Sequence, residues 1–310
     1  MSELNRKKHF LTLLDWSESE VREMLRLALD LKAGRVRKSL SGKTLAMLFQ
    51  KASTRTRVSF EAGMTRLGGH AIFLDFSTTQ LGRGETIEDT ARTLSRYCDV
   101  VMARLYKQSD LEALAAASSI PVINGLTELY HPCQTMADML TVIEKKKEID
   151  GLKVVFLGDC GFNMFHSTAI GFSKLGARVV GACPNGDYEP KPVVWAAAKK
   201  QAKHGAASLS IERDPVRVVK DADVVITDTW VSMGQDAEKE KRLRELAPYQ
   251  LNSALLKHAK KDAIVLHCLP AHRGQEITDD VIDGRQSVVF DEAENRLHAQ
   301  NAVIVKLLNV

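Results

Sequence analysis

The chain has 310 residues, 45% hydrophobic and 26% charged, which suits a globular protein of two domains at roughly 100–200 residues each. Its net charge of +4 is spread along the sequence and argues against nucleic acid as main partner, since a phosphate-backbone footprint needs clustered Lys and Arg. Five scattered cysteines (Cys98, Cys133, Cys160, Cys183, Cys268) form no C-x-x-C pair, so neither a disulfide framework nor a zinc site is indicated, and a reducing, cytoplasmic setting fits best.

No apolar run approaches the roughly 20 residues of a membrane span, and the polar start MSELNRKKHF is no signal peptide. A helix is predicted over 18–32. Strands follow at 44–49, 71–75, 100–104 and 121–124, with helices at 57–67 and 87–97 among them. A helix over 134–146 ends in Lys145-Lys146-Lys147, where cations suit the C-terminal dipole. The rhythm restarts at 153–157 and continues through strands at 178–182, 208–211, 224–227 and 263–267, with helices at 164–175 and 192–204. A last helix is expected over about 292–308.

Continuous Val/Ile/Leu runs indicate strands buried on both faces, hence parallel sheets covered by helices. The expected fold is therefore α/β with two lobes, each a mainly parallel sheet flanked by helices, and an active-site cleft between them. The boundary is placed near residue 150: a first domain over 1–148, joined by the C-terminal helix 292–310, and a second over 151–291. In such sheets ligands bind at the carboxyl ends of strands.

Most candidate chemistry falls at those ends. Ser53-Thr54-Arg55-Thr56-Arg57 follows the 44–49 strand and opens a helix, joining hydroxyls and guanidinium groups to the free N–H groups of a helix N-terminus. That pattern describes a phosphate site; a plain Ser/Thr N-cap with exposed arginines is the alternative. No GxxxxGK[ST] loop is present, so a nucleotide triphosphate cradle is not indicated. His131-Pro132-Cys133-Gln134 puts His131 and Gln134 one turn apart, able to donate to a carbonyl oxygen or to serve structure alone. Arg104 closes a buried strand and needs an anionic or carbonyl partner.

In the second half, Gly158-Asp159-Cys160-Gly161-Phe162-Asn163 lacks the G-x-G-x-x-G spacing of a dinucleotide loop. Asp228, in Asp228-Thr229-Trp230-Val231-Ser232-Met233-Gly234, is placed to hold a cation or to form a turn beside Trp230. His267 and Cys268 are neighbours on a strand and point to opposite faces, so they cannot form an activated thiolate couple. Asn295-Arg296 is expected to open the C-terminal helix, where a surface Arg is the bland alternative.

Together these motifs resemble the carbamoyltransferases. Ser-Thr-Arg-Thr-Arg-x-Ser-Phe-Glu and His-Pro-x-Gln resemble the signature shared by the whole family, while Asp-x-x-x-Ser-Met-Gly and His-Cys-Leu-Pro resemble its ornithine branch. The likeness runs in order from about residue 40 to the end. It implies that Ser53, Thr54, Arg55 and Thr56 hold the phosphate of carbamoyl phosphate. Arg104, His131, Gln134 and Thr56 would surround the carbamoyl group, with Gln80 supplied by a neighbouring subunit through Gln80-Leu81-Gly82-Arg83-Gly84-Glu85-Thr86. Asn163, Asp228, Ser232 and Met233 would bind ornithine, Cys268 and Leu269 would lie by the attacking amine, and Arg296 would contact carbamoyl phosphate. Arg57 and Ser59 are then helix and interface residues. The resemblance further implies a homotrimer with sites at subunit interfaces and no cofactor or metal.

One departure concerns the acceptor. The family usually reads Gly-Asp-Gly-Asn-Asn where this chain is one residue longer and carries Phe162, so Asn163 is matched to the second Asn. A larger or N-acylated acceptor stays open. Aspartate would be repelled by Asp228, and putrescine lacks the groups that Asp228, Ser232 and Met233 would bind. A non-catalytic relative acting as a binding protein is the alternative from another class. Closure of the 232–234 loop on acceptor binding is expected.

Overall fold

The computed structural model describes residues 8–232 and 236–310. They form two compact units, one made of residues 8–136 with Arg296–Val310 and the other of Ala137–Asn295.

The first unit opens with α1 (Glu18–Lys32), started by a capping box in which Ser17 and Glu20 satisfy each other's backbone N–H groups. Its sheet contains β1 (Thr44–Phe49), β2 (His70–Asp75), β3 (Val100–Arg104) and β4 (Val122–Leu126), all parallel in the order β2-β1-β3-β4. The crossovers are α2 (Thr54–Arg66), α3 (Ile87–Tyr97) and α4 (Gln108–Ala117), and α5 (Pro132–Lys146) leaves the last strand. The chain first winds from β1 outward to β2, then crosses to β3 on the other side of β1. That reversal makes β1/β3 the switch point, where the loops diverge and a ligand can enter. Register sets Phe49 opposite Arg104 at this point. The β3–β4 pairing then slips between Ala103 and Arg104. Gly125 sits at the slip because a Cβ there would lie 2.4 Å from Met102 Sδ.

The second unit has β5 (Lys153–Leu157), β6 (Arg178–Ala182), β7 (Leu209–Glu212), β8 (Val224–Thr227) and β9 (Ile264–His267), parallel in the order β7-β6-β5-β8-β9. Helices α6 (Asn163–Lys174), α7 (Pro192–Gln201), α8 (Pro215–Val219), α9 (Lys239–Leu246), α10 (Ser253–Leu256) and α11 (Asp279–Ile282) surround it, and α12 (Val289–Leu308) follows. Every residue of α6 is buried, as expected of a helix laid on a central strand. Here the reversal falls between β5 and β8, so the segments that follow these two strands frame the opening.

Five strands begin and end where the apolar runs do: β1, β3, β5, β6 and β8. Helices α4 and α8–α11 were not among those named from the pattern. The last helix begins at Val289, so Asn295-Arg296 lies inside α12 rather than opening it. Residues of α5 and α12 belong to both units, dividing at Met136/Ala137 and Asn295/Arg296. No helix among the described residues is long and apolar enough to cross a membrane.

Candidate active site

In the first unit, Ser53 ends the loop after β1 and caps α2. Its Oγ accepts from Thr56 N at 3.3 Å and donates to Thr56 Oγ1 at 3.2 Å. Thr56 is buried, Arg55 half-buried and Thr54 exposed. Arg57, in contrast, is turned away: it donates to Glu61 at 3.0 Å and lies 3.8 Å from the Phe73 ring centroid. Ser59 donates to Thr56 O at 3.2 Å.

Arg104, at the end of β3, is buried and donates through Nε to the Lys51 carbonyl at 3.1 Å. Arg296, 3% exposed, donates to Gln134 Oε1 at 2.6 Å and to Thr56 Oγ1 at 3.2 Å. The Gln300 amide, with its oxygen toward Arg296, accepts from Nε at 3.2 Å and Nη2 at 3.0 Å. The exposed surface role for Arg296 is thereby excluded.

His131 precedes α5 and is 4% exposed. Burial holds its imidazole well below the usual histidine pKa, and the charges of Arg296, Arg104, Lys51 and Arg55 add to the depression. The ring is therefore neutral and can donate one N–H. Four cations acting on one buried neutral ring concentrate positive charge around it, which suits a multiply charged oxyanion. Lys51 was not singled out from the sequence as a site residue; its burial is the feature that adds it. Cys133 is a packing residue, its thiol donating to Asn124 O at 3.3 Å and pushed up to about 12 by burial. Gln80 stands exposed on a turn over Gln80–Arg83.

In the second unit, Asp228 follows β8 and is half-buried. Its Oδ1 accepts from Thr229 N at 2.7 Å and from the Cys268 thiol at 3.0 Å. Burial raises the Asp228 pKa. Burial and the nearby Asp228 charge push Cys268 well above the usual thiol value, so it is a donor and not a thiolate.

His267 is fully buried and serves a different partner set. Its Nδ1 accepts from Leu269 N at 2.9 Å, which places the proton on Nε2, 3.1 Å from Glu276 Oε1. Leu269 adopts φ +54°, a left-handed conformation that a bulky residue holds only when its surroundings fix it. Glu276, fully buried, also accepts from His272 N at 2.5 Å. Thus Glu276 and His267 shape the backbone that carries Cys268 and Leu269. Asp228, His267 and Cys268 bring ligand-type atoms within 4.8 Å of one another, but both His267 ring nitrogens are already engaged, Nδ1 by Leu269 N and Nε2 by Glu276. That donor set does not fit a metal ion.

Asn163 is the first residue of α6 and is 2% exposed, while Phe162 before it is half-buried. Ser232 is half-buried; Met233 and Gly234 lie outside the described residues. Asp228 and Asn163 thus follow the two strands of the β5/β8 reversal, while Ser53 follows β1 and Arg104 ends β3. Glu276 carried no sequence signal, because a lone Glu in a polar turn looks like a surface residue.

Two family models match the chain, one over each sheet. Residues 8–144 match the family model for the aspartate/ornithine carbamoyltransferase carbamoyl-P binding domain, and residues 150–307 match that for the Asp/Orn binding domain. The ornithine carbamoyltransferase of Pyrococcus abyssi is 54% identical over 305 residues, covering 97% of this chain and 96% of that protein. The solved ornithine carbamoyltransferase of Pyrococcus furiosus superposes with a TM-score of 0.91 at 53% identity, over 96% of both chains. A solved N-acetyl-L-ornithine transcarbamylase gives 0.87 at 30% identity, over 97% of this chain and 99% of its own. The two sheets, the paired strand-end motifs and these matches agree: the chain belongs to the aspartate/ornithine carbamoyltransferase family.

Proposed function

We propose that this chain transfers the carbamoyl group of carbamoyl phosphate to the δ-amine of L-ornithine, giving L-citrulline and phosphate. The observation that carries the donor half is the set of four cations acting on neutral His131. Carbamoyl phosphate supplies both an anion for that charge and a carbonyl oxygen for an N–H donor. The first domain (1–148 with 292–310) binds the donor and the second (151–291) the acceptor.

Ser53, Thr54 and Arg55 hold the phosphate; Thr56, Arg104, His131, Gln134 and Arg296 surround the carbamoyl group. Gln80 reaches the site of a neighbouring subunit in a cytoplasmic homotrimer, and its exposed turn is consistent with that role. Asp228 binds the acceptor's α-ammonium, with Asn163, Ser232 and Met233 completing recognition. Cys268 keeps Asp228 oriented, and Leu269 lines the approach of the amine.

The chemistry follows from these groups. A δ-ammonium has a pKa near 10.4, by analogy with Lys, so the reacting species is the minor neutral amine. Its lone pair attacks the carbamoyl carbon, the bond from that carbon to the oxygen bridging to phosphorus breaks, and phosphate leaves with the amine's proton. Arg104, His131 and Thr56 stabilise the oxyanion formed on the way, worth about 3–4 kcal/mol per well-placed donor in other enzymes. A neutral His131 suits this role because it donates without adding a charge to a crowded site.

Ornithine is favoured over an N-acylated acceptor because acylation removes the cation that Asp228 would hold. Carbamoylation of ornithine, N-acetylornithine, putrescine and aspartate, measured side by side, tests the reading. Preferred turnover of ornithine is expected. A preference for N-acetylornithine would reassign the acceptor, and no turnover of any would refute the enzyme.

A further inference from the structure

Helix α9 lies outside every motif read from the sequence, yet its Arg242 is only 4% exposed. The guanidinium reaches several other segments. Nε donates to the Trp230 carbonyl at 2.6 Å, and Nη2 pairs with the Asp159 carboxylate. Its carbon stands 5.1 Å from the Tyr188 ring centroid, and Glu238 lies 3.9 Å from Nη1. Asp159 in turn accepts from Gly161 N at 2.8 Å. Gly161 admits no side chain, since a Cβ there would lie 2.6 Å from Asp187 O and 2.9 Å from Glu189 O.

One side chain therefore joins the segment after β8 to the segment after β5. Trp230 lies midway between Asp228 and Ser232 in sequence, and Gly161 lies two residues before Asn163. We propose that Arg242 is a positioning residue of the acceptor half-site: its guanidinium sets the spacing between the Asp228 and Asn163 segments and thereby the affinity for the amino-acid acceptor. This rests on the reading of Asp228 and Asn163 as acceptor-binding. Arginine suits the task because its planar fork addresses a carbonyl and a carboxylate together, whereas lysine is a point charge on a flexible stem. A buried pair of this kind adds little net stability, and its value lies in geometry.

The test uses Arg242→Gln, Arg242→Lys, Asp159→Asn and Asp228→Asn in the full-length enzyme, with KM for ornithine, kcat, carbamoyl phosphate affinity and Tm measured for each. Arg242→Gln is expected to raise the ornithine KM by about tenfold to a hundredfold, the scale of a slightly misplaced site, with carbamoyl phosphate affinity within twofold. Asp159→Asn should reproduce that pattern, the double variant should be no worse than Arg242→Gln alone, and Arg242→Lys should rescue only in part. Ornithine KM within twofold of the parent in Arg242→Gln, with Asp228→Asn impaired, would overturn the positioning role. Equal damage to both substrates would overturn it too, by marking a merely structural residue. An unaltered ornithine KM in Asp228→Asn would overturn the acceptor assignment itself.

Discussion

Arg296 donates to the Gln134 side chain at 2.6 Å although 162 residues separate them in sequence. The same guanidinium reaches Thr56 at 3.2 Å, so three distant segments of the first unit meet on one charge. Replacing Arg296 with Ala removes a charged donor from both Gln134 and Thr56, and a hydrogen bond of that kind is worth about 1.5–3 kcal/mol. We expect Arg296→Ala to weaken carbamoyl phosphate binding at least tenfold by calorimetry, and Arg296→Lys to restore little, since lysine cannot serve both partners with one planar group. Full affinity in the lysine variant would show that charge alone matters there.

Stability should depend on His131 in mild acid. In the unfolded chain its imidazole titrates near 6.5, while burial and the surrounding cations hold the folded group well below that. Between those values the unfolded state binds the extra proton. The His131 contribution is therefore complete above pH 6.5 and is lost as pH falls, by up to about 1.4 kcal/mol per pH unit. Urea unfolding at pH 7.5, 6 and 5 should show this loss, and His131→Asn should reduce the slope. Parallel slopes for parent and variant would disprove it.

Cys268 should behave as a hydrogen-bond donor. Its thiol is held protonated beside Asp228, so iodoacetamide at pH 8 should modify it more slowly than a free thiol. Cys268→Ser keeps a donor for Asp228 and should retain activity to within about tenfold. Cys268→Ala, which removes it, should lose about 0.5–1.5 kcal/mol of acceptor binding. Loss of all turnover in the serine variant would point back to a covalent sulfur.

Gly63 marks where α2 meets α12. A Cβ at this position would lie 2.2 Å from Asn301 Oδ1. Gly63→Ala should cost about 1–3 kcal/mol through overpacking, despite alanine's higher helix propensity. Adding Asn301→Ala should recover most of the loss in thermal unfolding, because the two changes share one contact. If Gly63→Ala raised Tm, the close approach would be wrong.

Apolar periodicity made the sheets legible because β1, β3, β5, β6 and β8 are buried along nearly their whole length, so their runs start and stop with the strands. Motifs at strand ends were legible for a related reason: a hydroxyl-rich helix start after an apolar run is a local signal. Pairings across long separations were not. Arg242 and Asp159 are 83 residues apart, and each alone resembles a surface charge. Lys51 likewise reads as one more basic residue until its burial is known. Helix α12 starts at Val289, three residues before the expected 292, and its first turn carries Asp291 and Glu292, which suit a helix N-terminus.

The discontinuity of the first unit has a consequence for how the protein is made. A ribosome delivers β1, Ser53 and His131 long before it delivers Arg296, and domains otherwise tend to fold in the order of their synthesis. The nascent first unit must therefore wait, with Thr56 and Gln134 lacking the Arg296 guanidinium, while all of the second unit is translated. Chains arrested before residue 296 should carry a second unit able to mature and a first unit still lacking Arg296 and the rest of its closing helix.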